Sequence, residues 1–202
     1  MREDKQLKPK KLSEKNLKTI ALGYLERYSV STGSLRNFLI RRVKTSGKIC
    51  GTSLEKEKEW IEALIVEFEK LGYLNDHRYA ENRARSLLSK GKSIREVTIW
   101  LRGKNISRND IDAALEIVKE EIPDLELYAG LGLARRRKIG PYNSRNVEKK
   151  QRDKALAIFA RAGFSYAVAR RIVDSKTIKE LELIFIGSGS GHNLQYINEI
   201  EI

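Results

Sequence analysis

Gly91-Lys92-Ser93 is spelled like the end of a phosphate-cradling nucleotide loop, in which backbone amides and a lysine hold the phosphates. That motif needs a second glycine five positions before Gly91, where Ser86 stands, and a strand before the loop, where the pattern is helical. A helix stop followed by a helix cap accounts for the three residues. The run Gly187-Ser188-Gly189-Ser190-Gly191 lacks both the spacing and the βαβ setting of a dinucleotide site. His77 and His192 fall in separate segments and Cys50 is the single cysteine, so no zinc ligand set is spelled out. The carboxylates Glu55, Glu57, Glu59 and Glu62 alternate with Lys56 and Lys58 and read as a solvated helix face. A nuclease holding magnesium with carboxylates is the most distant of the functions these residues allow. The expectation is a protein that is not an enzyme, with no cofactor and no metal.

Cations are the other chemistry available. Forty lysines and arginines against 27 acids give a net charge of +13 in 202 residues, with an isoelectric point near 9.8. Such a balance points to a polyanionic partner, nucleic acid or an assembly containing it. The excess is localised. Arg78–Arg108 holds nine basic and two acidic residues, and Leu133–Arg171 holds twelve and two, whereas Ser53–Gly72 is acidic, with six acids against three bases. Arg95 and Arg102 stand seven apart, on the side of their helix away from Val97 and Leu101. Arg83 and Lys90 have the same spacing. Arg135-Arg136-Arg137-Lys138 runs into Gly140-Pro141 and reads as a helix end or loop. Such groups neutralise phosphates or pair with acidic protein patches. Arg83, Arg95, Arg102, Lys104, Arg136 and Arg161 are the expected contacts, while Trp100 and Tyr79 are read as positioning helices. No apolar run approaches the ~20 residues of a membrane span, and the polar start, with one lone cysteine, fits a cytoplasmic protein.

The elements that must carry these residues are helices with visible starts and stops. Residues 1–17 read as a flexible basic arm. Ala21, Tyr24, Leu25 and Tyr28 then fall on one helical face, and Leu35, Phe38 and Leu39 on the next. A loop is expected around Thr45-Ser46-Gly47. Thr52 with Glu55 looks like a capping box opening a helix whose stripe is Trp60-Ile61-Leu64-Ile65-Phe68-Leu71, closed by Gly72. Asn75 or Asp76 caps a helix buried through Ala80, Ala84, Leu87 and Leu88. Ser93 with Glu96 caps one packed through Ile94, Val97 and Leu101, ended by Gly103, and Ser107 caps one packed through Ile111, Ala114, Leu115 and Val118. Pro123 suits a helix start ahead of Leu125, Tyr128 and Leu131. Ala155, Ile158, Phe159 and Ala162 mark a helix ended by Gly163, and Ser165 caps a last one, with Val168 and Ile172 inward.

The plan repeats. Val97-x-x-x-Leu101-x-x-x-x-Ile106-Ser107 aligns with Ala155-x-x-x-Phe159-x-x-x-x-Phe164-Ser165, and Leu35-x-x-x-Leu39 fits the first half of that frame. Units this small bury little core alone and are expected to stack in tandem. The reading is three-helix repeats at 18–72, 73–119 and 123–174, followed by a C-terminal extension, 175–202, with a glycine–serine hinge.

The stretch from Leu71 to Leu115 resembles the RecX family of regulatory proteins. The resemblance is carried by Gly72-Tyr73-Leu74-Asn75-Asp76, Arg78-Tyr79-Ala80, Gly91-Lys92 and Leu101-Arg102-Gly103-Lys104-Asn105-Ile106, and more weakly by Ala21–Arg42 and Lys154–Val173. It implies an all-α fold of tandem three-helix repeats in an elongated, curved array. It also implies docking on the RecA–DNA filament, with inhibition of strand exchange, ATP turnover and coprotease activity in DNA recombination, repair and the SOS response. Asn105 stands where the family's turn has glycine, with Gly103 nearby. The expected partners are the RecA recombinase filament and DNA, met directly or within the filament, with the protein a monomer and no membrane involved. The alternative is a helical protein that binds DNA or RNA directly, using Ile94–Leu101 and Ser107–Val118 as a helix-turn-helix.

Overall fold

The computed structural model describes residues 13–50, 54–122, 124–143 and 149–181. Among them are nine α-helices and no strand. They are α1 (Glu14–Leu25), α2 (Thr32–Cys50), α3 (Leu54–Lys70), α4 (Asp76–Ser89), α5 (Ile94–Arg102), α6 (Arg108–Glu121), α7 (Leu125–Arg137), α8 (Lys149–Arg161) and α9 (Tyr166–Asp174). The fold is all-α and built of three-helix repeats.

Local chemistry sets the helix ends. Ser13, Ser93, Ser107 and Ser165 sit in extended backbone and accept the amide three residues on, and the Asn75 carboxamide does the same for Arg78. α3, α4, α7 and α8 close with a 6→1 and a 5→2 backbone bond around a left-handed residue, at Gly72, Gly91, Lys138 and Gly163.

The chain divides into two compact units. The first takes the described residues up to Tyr79 together with Lys104–Ile106. Its core joins Leu17 and Ala21 of α1, Leu35, Leu39 and Val43 of α2, Ile61, Leu64, Ile65 and Phe68 of α3, and Leu74. Tyr24 stacks on Phe38 at 4.0 Å between ring centroids, and Arg36 grips Glu62 with two bonds of 2.7 and 2.9 Å.

Several expectations are corrected here. α1 begins at Glu14, capped by Ser13, so Glu14–Leu17 belong to a helix rather than to the arm, and Leu17 is fully buried. α2 continues through Thr45-Ser46-Gly47, where a loop was expected. The Thr45 hydroxyl donates back to the Arg41 carbonyl, which satisfies it inside a helix. Leu71 is exposed, because the chain reverses at Gly72 and Leu74 turns inward instead. Tyr28 is exposed for the same kind of reason, since α1 ends at Leu25. Glu57 is buried, unlike its neighbours Glu55, Glu59 and Glu62. Thr52, Pro123, His192 and the Gly187–Gly191 run lie outside the described residues.

The second unit comprises Ala80–Gly103 and the described residues from Ser107 onward. At its centre α7 is buried on all sides, from Leu127 through Ala134. Its glycines permit this. A β-carbon on Gly132 would lie 2.9 Å from the Ser89 carbonyl oxygen, and one on Gly91 would lie 2.3 Å from the Leu133 nitrogen, so α7 meets the end of α4 backbone to backbone. α9 packs on both α7 and α8, and α5 on α6 and α7. Past α9, Thr177 caps one further turn that buries Leu181.

The repeated frame has a structural counterpart in two matching joints, one in each unit. Ser31 and Ser93 each stand four residues before the first apolar position of the frame, Leu35 and Val97. The Ser31 hydroxyl donates to the Lys104 carbonyl at 2.7 Å and the Ser93 hydroxyl to the Ala162 carbonyl at 2.6 Å. Lys104 and Ala162 each follow the second apolar position, Leu101 and Phe159, by three residues. The next residue in each turn is left-handed, Asn105 at φ +59° and Gly163 at φ +82°. What faces it differs. Asn105 is met by Gly33, and Gly163 by Arg95, which stands at the frame position of Gly33. Each joint has one glycine, on opposite sides. Gly103 ends α5, as expected, with an ordinary helical φ, and Asn105 takes the left-handed place in the turn that follows.

Candidate partner-binding surface

The cations expected to make contacts fall into different settings. Arg95 and Arg102 lie on the outward side of α5, both exposed, while Val97 and Leu101 on the opposite side are fully buried. The Arg95 stem packs on Gly163, two residues past exposed Arg161 at the end of α8, so those two arginines share one end of the second unit. No ion pair holds Arg95, Arg102 or Arg161 among the described residues. Arg102, in the last turn of α5, also complements the negative end of the helix dipole.

Arg83 and Arg136 are more engaged. The Arg83 guanidinium sits over the Trp100 ring, 5.7 Å from its centroid. Arg136, in the last turn of α7, donates to the Lys90 carbonyl at 2.7 Å, beside exposed Arg137 and Lys138. Lys90 lies just past the end of α4 rather than on it. Lys104 is half-buried in the first unit, where its carbonyl holds Ser31. Tyr79 is buried, as suits a residue that positions helices.

Arg85 was not singled out from sequence. It reaches Glu121 of α6 with bonds of 2.9 and 2.5 Å and is also paired to Glu81. The side-chain hydrogen bonds from Arg85 hold the Glu121 carboxyl below its ordinary range, against the opposing effect of burial. A matching pair, Arg152 with Asp174 at 2.7 and 2.9 Å, ties α8 to α9, and Arg152 holds the Asp174 carboxyl low in the same way. Both arginines are engaged by acids of their own unit.

Ile99 also escaped the sequence reading. It is 59% exposed on α5, between Arg95 and Arg102 on one side and Glu96 and Trp100 on the other. Its signal was an isoleucine four residues after Arg95, off the Val97–Leu101 stripe. The outward residues of α6 include Asp112, Glu116 and Glu120, of which Asp112 pairs with Arg108 and Glu116 with Lys119, so this face carries no excess of positive charge for a DNA groove. Among the described residues no group of three His, Cys, Asp or Glu side chains is placed to hold a metal ion, and no helix is long and apolar enough to cross a membrane.

Known proteins resemble this chain along most of its length. The family model described as RecX, second three-helix domain, matches residues 75–115. A regulatory protein RecX of Myxococcus xanthus is 33% identical over 174 residues, which cover 83% of this chain and 89% of that protein. One from Agrobacterium fabrum is 28% identical over 162 residues, 80% of this chain and 83% of its own. The crystal structure of RecX from Lactobacillus salivarius superposes with a TM-score of 0.58 at 23% identity, covering 84% of this chain and 97% of that one. A further regulatory protein RecX gives a TM-score of 0.55 at 22% identity, covering 80% and 72%. With these matches the chain belongs to the RecX family, whose members are non-catalytic regulatory proteins.

Proposed function

We propose that the protein docks on a RecA recombinase filament and inhibits its strand exchange, ATP turnover and coprotease activity, acting as a cytoplasmic monomer. The family resemblance supplies the partner. The observation that carries the docking surface is the pair Arg95 and Arg102, exposed side by side on α5 with no acid paired to either among the described residues. Arg161, Arg136, Arg83 and Lys104 extend the cationic set, which meets acidic protein patches, the DNA of the filament, or both. Direct binding to bare DNA is the weaker reading, because on α6 the exposed cations Arg108 and Lys119 are matched by Asp112, Glu116 and Glu120.

The test adds the purified protein to a RecA–single-stranded-DNA reaction and follows ATP turnover. Inhibition at stoichiometric protein is expected, and the double variant Arg95→Glu/Arg102→Glu should lose it while keeping its helical circular dichroism. No inhibition by the wild-type chain removes the recombinase as partner. Full inhibition by a folded double variant removes α5 as the contact.

A further inference from the structure

Exposed Ile99 is out of place on a cationic surface built only for phosphate. It lines a groove of about 330 Å³ together with Leu87, Lys92, Glu96 and Trp100, near the lower end of the ~300–1,000 Å³ typical of ligand sites. The groove's own acid, Glu96, accepts from Lys92 at 3.0 Å, a half-buried i,i+4 pair. Around α5 the order of side chains is Arg102, Arg95, Ile99, Glu96, Trp100, so Ile99 stands directly beside two cations, with Glu96 between it and Trp100. Beneath Trp100, Arg83 already covers one ring face, which leaves a poor platform for stacking a base. A phosphate backbone would use the arginines and leave Ile99 bare. A peptide carrying carboxylates next to one bulky apolar side chain would use both.

We propose that the groove between α4 and α5 binds an acidic segment of a protein partner, seating one apolar or aromatic side chain on Ile99, Leu87 and Trp100 while its carboxylates meet Arg95 and Arg102. This rests on the reading that the second unit docks on a protein, and it names the chemistry of the docked segment. The occupant is fixed by charge complementarity, since the exposed cations flanking the groove have no acid of their own.

The experiment measures fluorescence anisotropy of the full chain with a labelled peptide, Asp-Asp-Glu-Leu-Phe-Glu-Asp-Asp. Controls are the same peptide with Ser-Ser in place of Leu-Phe, and a single-stranded oligothymidylate. The apolar anchor should tighten binding about tenfold or more over the Ser-Ser peptide, the fold-change expected for burying one large side chain. Ile99→Ser should abolish that advantage, and being an exposed position it should leave helicity unchanged. Arg95→Ser/Arg102→Ser should weaken both peptides and flatten their salt dependence. Equal binding of the two peptides overturns the proposal, as does oligothymidylate binding that itself falls with Ile99→Ser. ATP turnover of the RecA reaction is read in parallel. Inhibition without an anchor effect sinks the groove and leaves the recombinase reading standing, whereas an anchor effect without inhibition does the reverse.

Discussion

Replacing Gly33 with alanine should destabilise the first unit, and replacing Asn105 with glycine as well should reverse the sign. A β-carbon on Gly33 would lie 2.4 Å from the Asn105 β-carbon, and the next nearest atoms, at 3.0 and 3.1 Å, also belong to the Asn105 side chain. Overpacking of this kind costs about 1–3 kcal/mol. Alanine in the middle of a helix recovers about 0.5–1 kcal/mol relative to glycine, an upper bound in the first turn of α2, so the single change nets a loss of up to about 2.5 kcal/mol. In the Asn105→Gly background all three clashing atoms are gone, and Gly33→Ala should instead stabilise by up to about 1 kcal/mol. Asn105→Gly alone should be near neutral. Its relief of left-handed strain at φ +59° is offset by about 0.4–1 kcal/mol of added freedom in the unfolded chain. Urea denaturation followed by Trp60 fluorescence in a Trp100→Phe background reports on the first unit, where Trp60 packs against the core. A coupling below about 0.5 kcal/mol between the two positions, or the same sign for Gly33→Ala in both backgrounds, would refute the swapped-glycine account.

Ser93→Ala should cost about 1–2 kcal/mol, because it removes the α5 cap and leaves the Ala162 carbonyl without its donor; Trp100 fluorescence during urea unfolding measures it, and a change under 0.5 kcal/mol would count against the joint. Glu121→Gln tests the Arg85 pair through pH. The folded carboxyl is held below its ordinary 4.5, so the pair's contribution is present above that value and fades as pH falls through the folded pKa. The variant should therefore be less stable at neutral pH and lose less on acidification, and parallel urea midpoints for variant and wild type from pH 7 to pH 3 would contradict this.

Features decided within one turn of chain were legible in the sequence. Ser93, Ser107, Ser165, Gly72, Gly91 and Gly163 mark helix ends through backbone bonds spanning three to five positions, and all are found where the pattern put them. Stripes were misread where they were extended across a reversal, as at Leu71 and Tyr28. The α2 loop was expected from Thr, Ser and Gly in a row, but a back-bond to Arg41 and the burial of Val43 outweigh local preference. The unbroken run of apolar residues and glycines from Leu127 to Ala134 signals burial on all sides, which the Leu125, Tyr128 and Leu131 stripe alone does not convey. In the candidate surface, exposure of Arg95 and Arg102 follows from α5 periodicity alone. The partners of Arg83 and Arg136 depend on contacts 17 and 46 residues away, which no local pattern encodes. Ile99 was passed over because a single apolar residue off the stripe is ordinary on helix surfaces.

The first unit is discontinuous, and that bears on how the chain is made. Its closing turn, Lys104–Ile106, leaves the ribosome 24 residues after the rest of it. Until then Ser31 has no carbonyl to hold and Gly33 no side chain to face. A nascent chain that has reached Tyr79 therefore holds an unfinished unit, and the α4–α5 segment is synthesised before that unit can close. A cut at the apparent end of the first repeat would preserve that unfinished state in the product. A fragment meant to carry the first unit intact has to extend through Ile106.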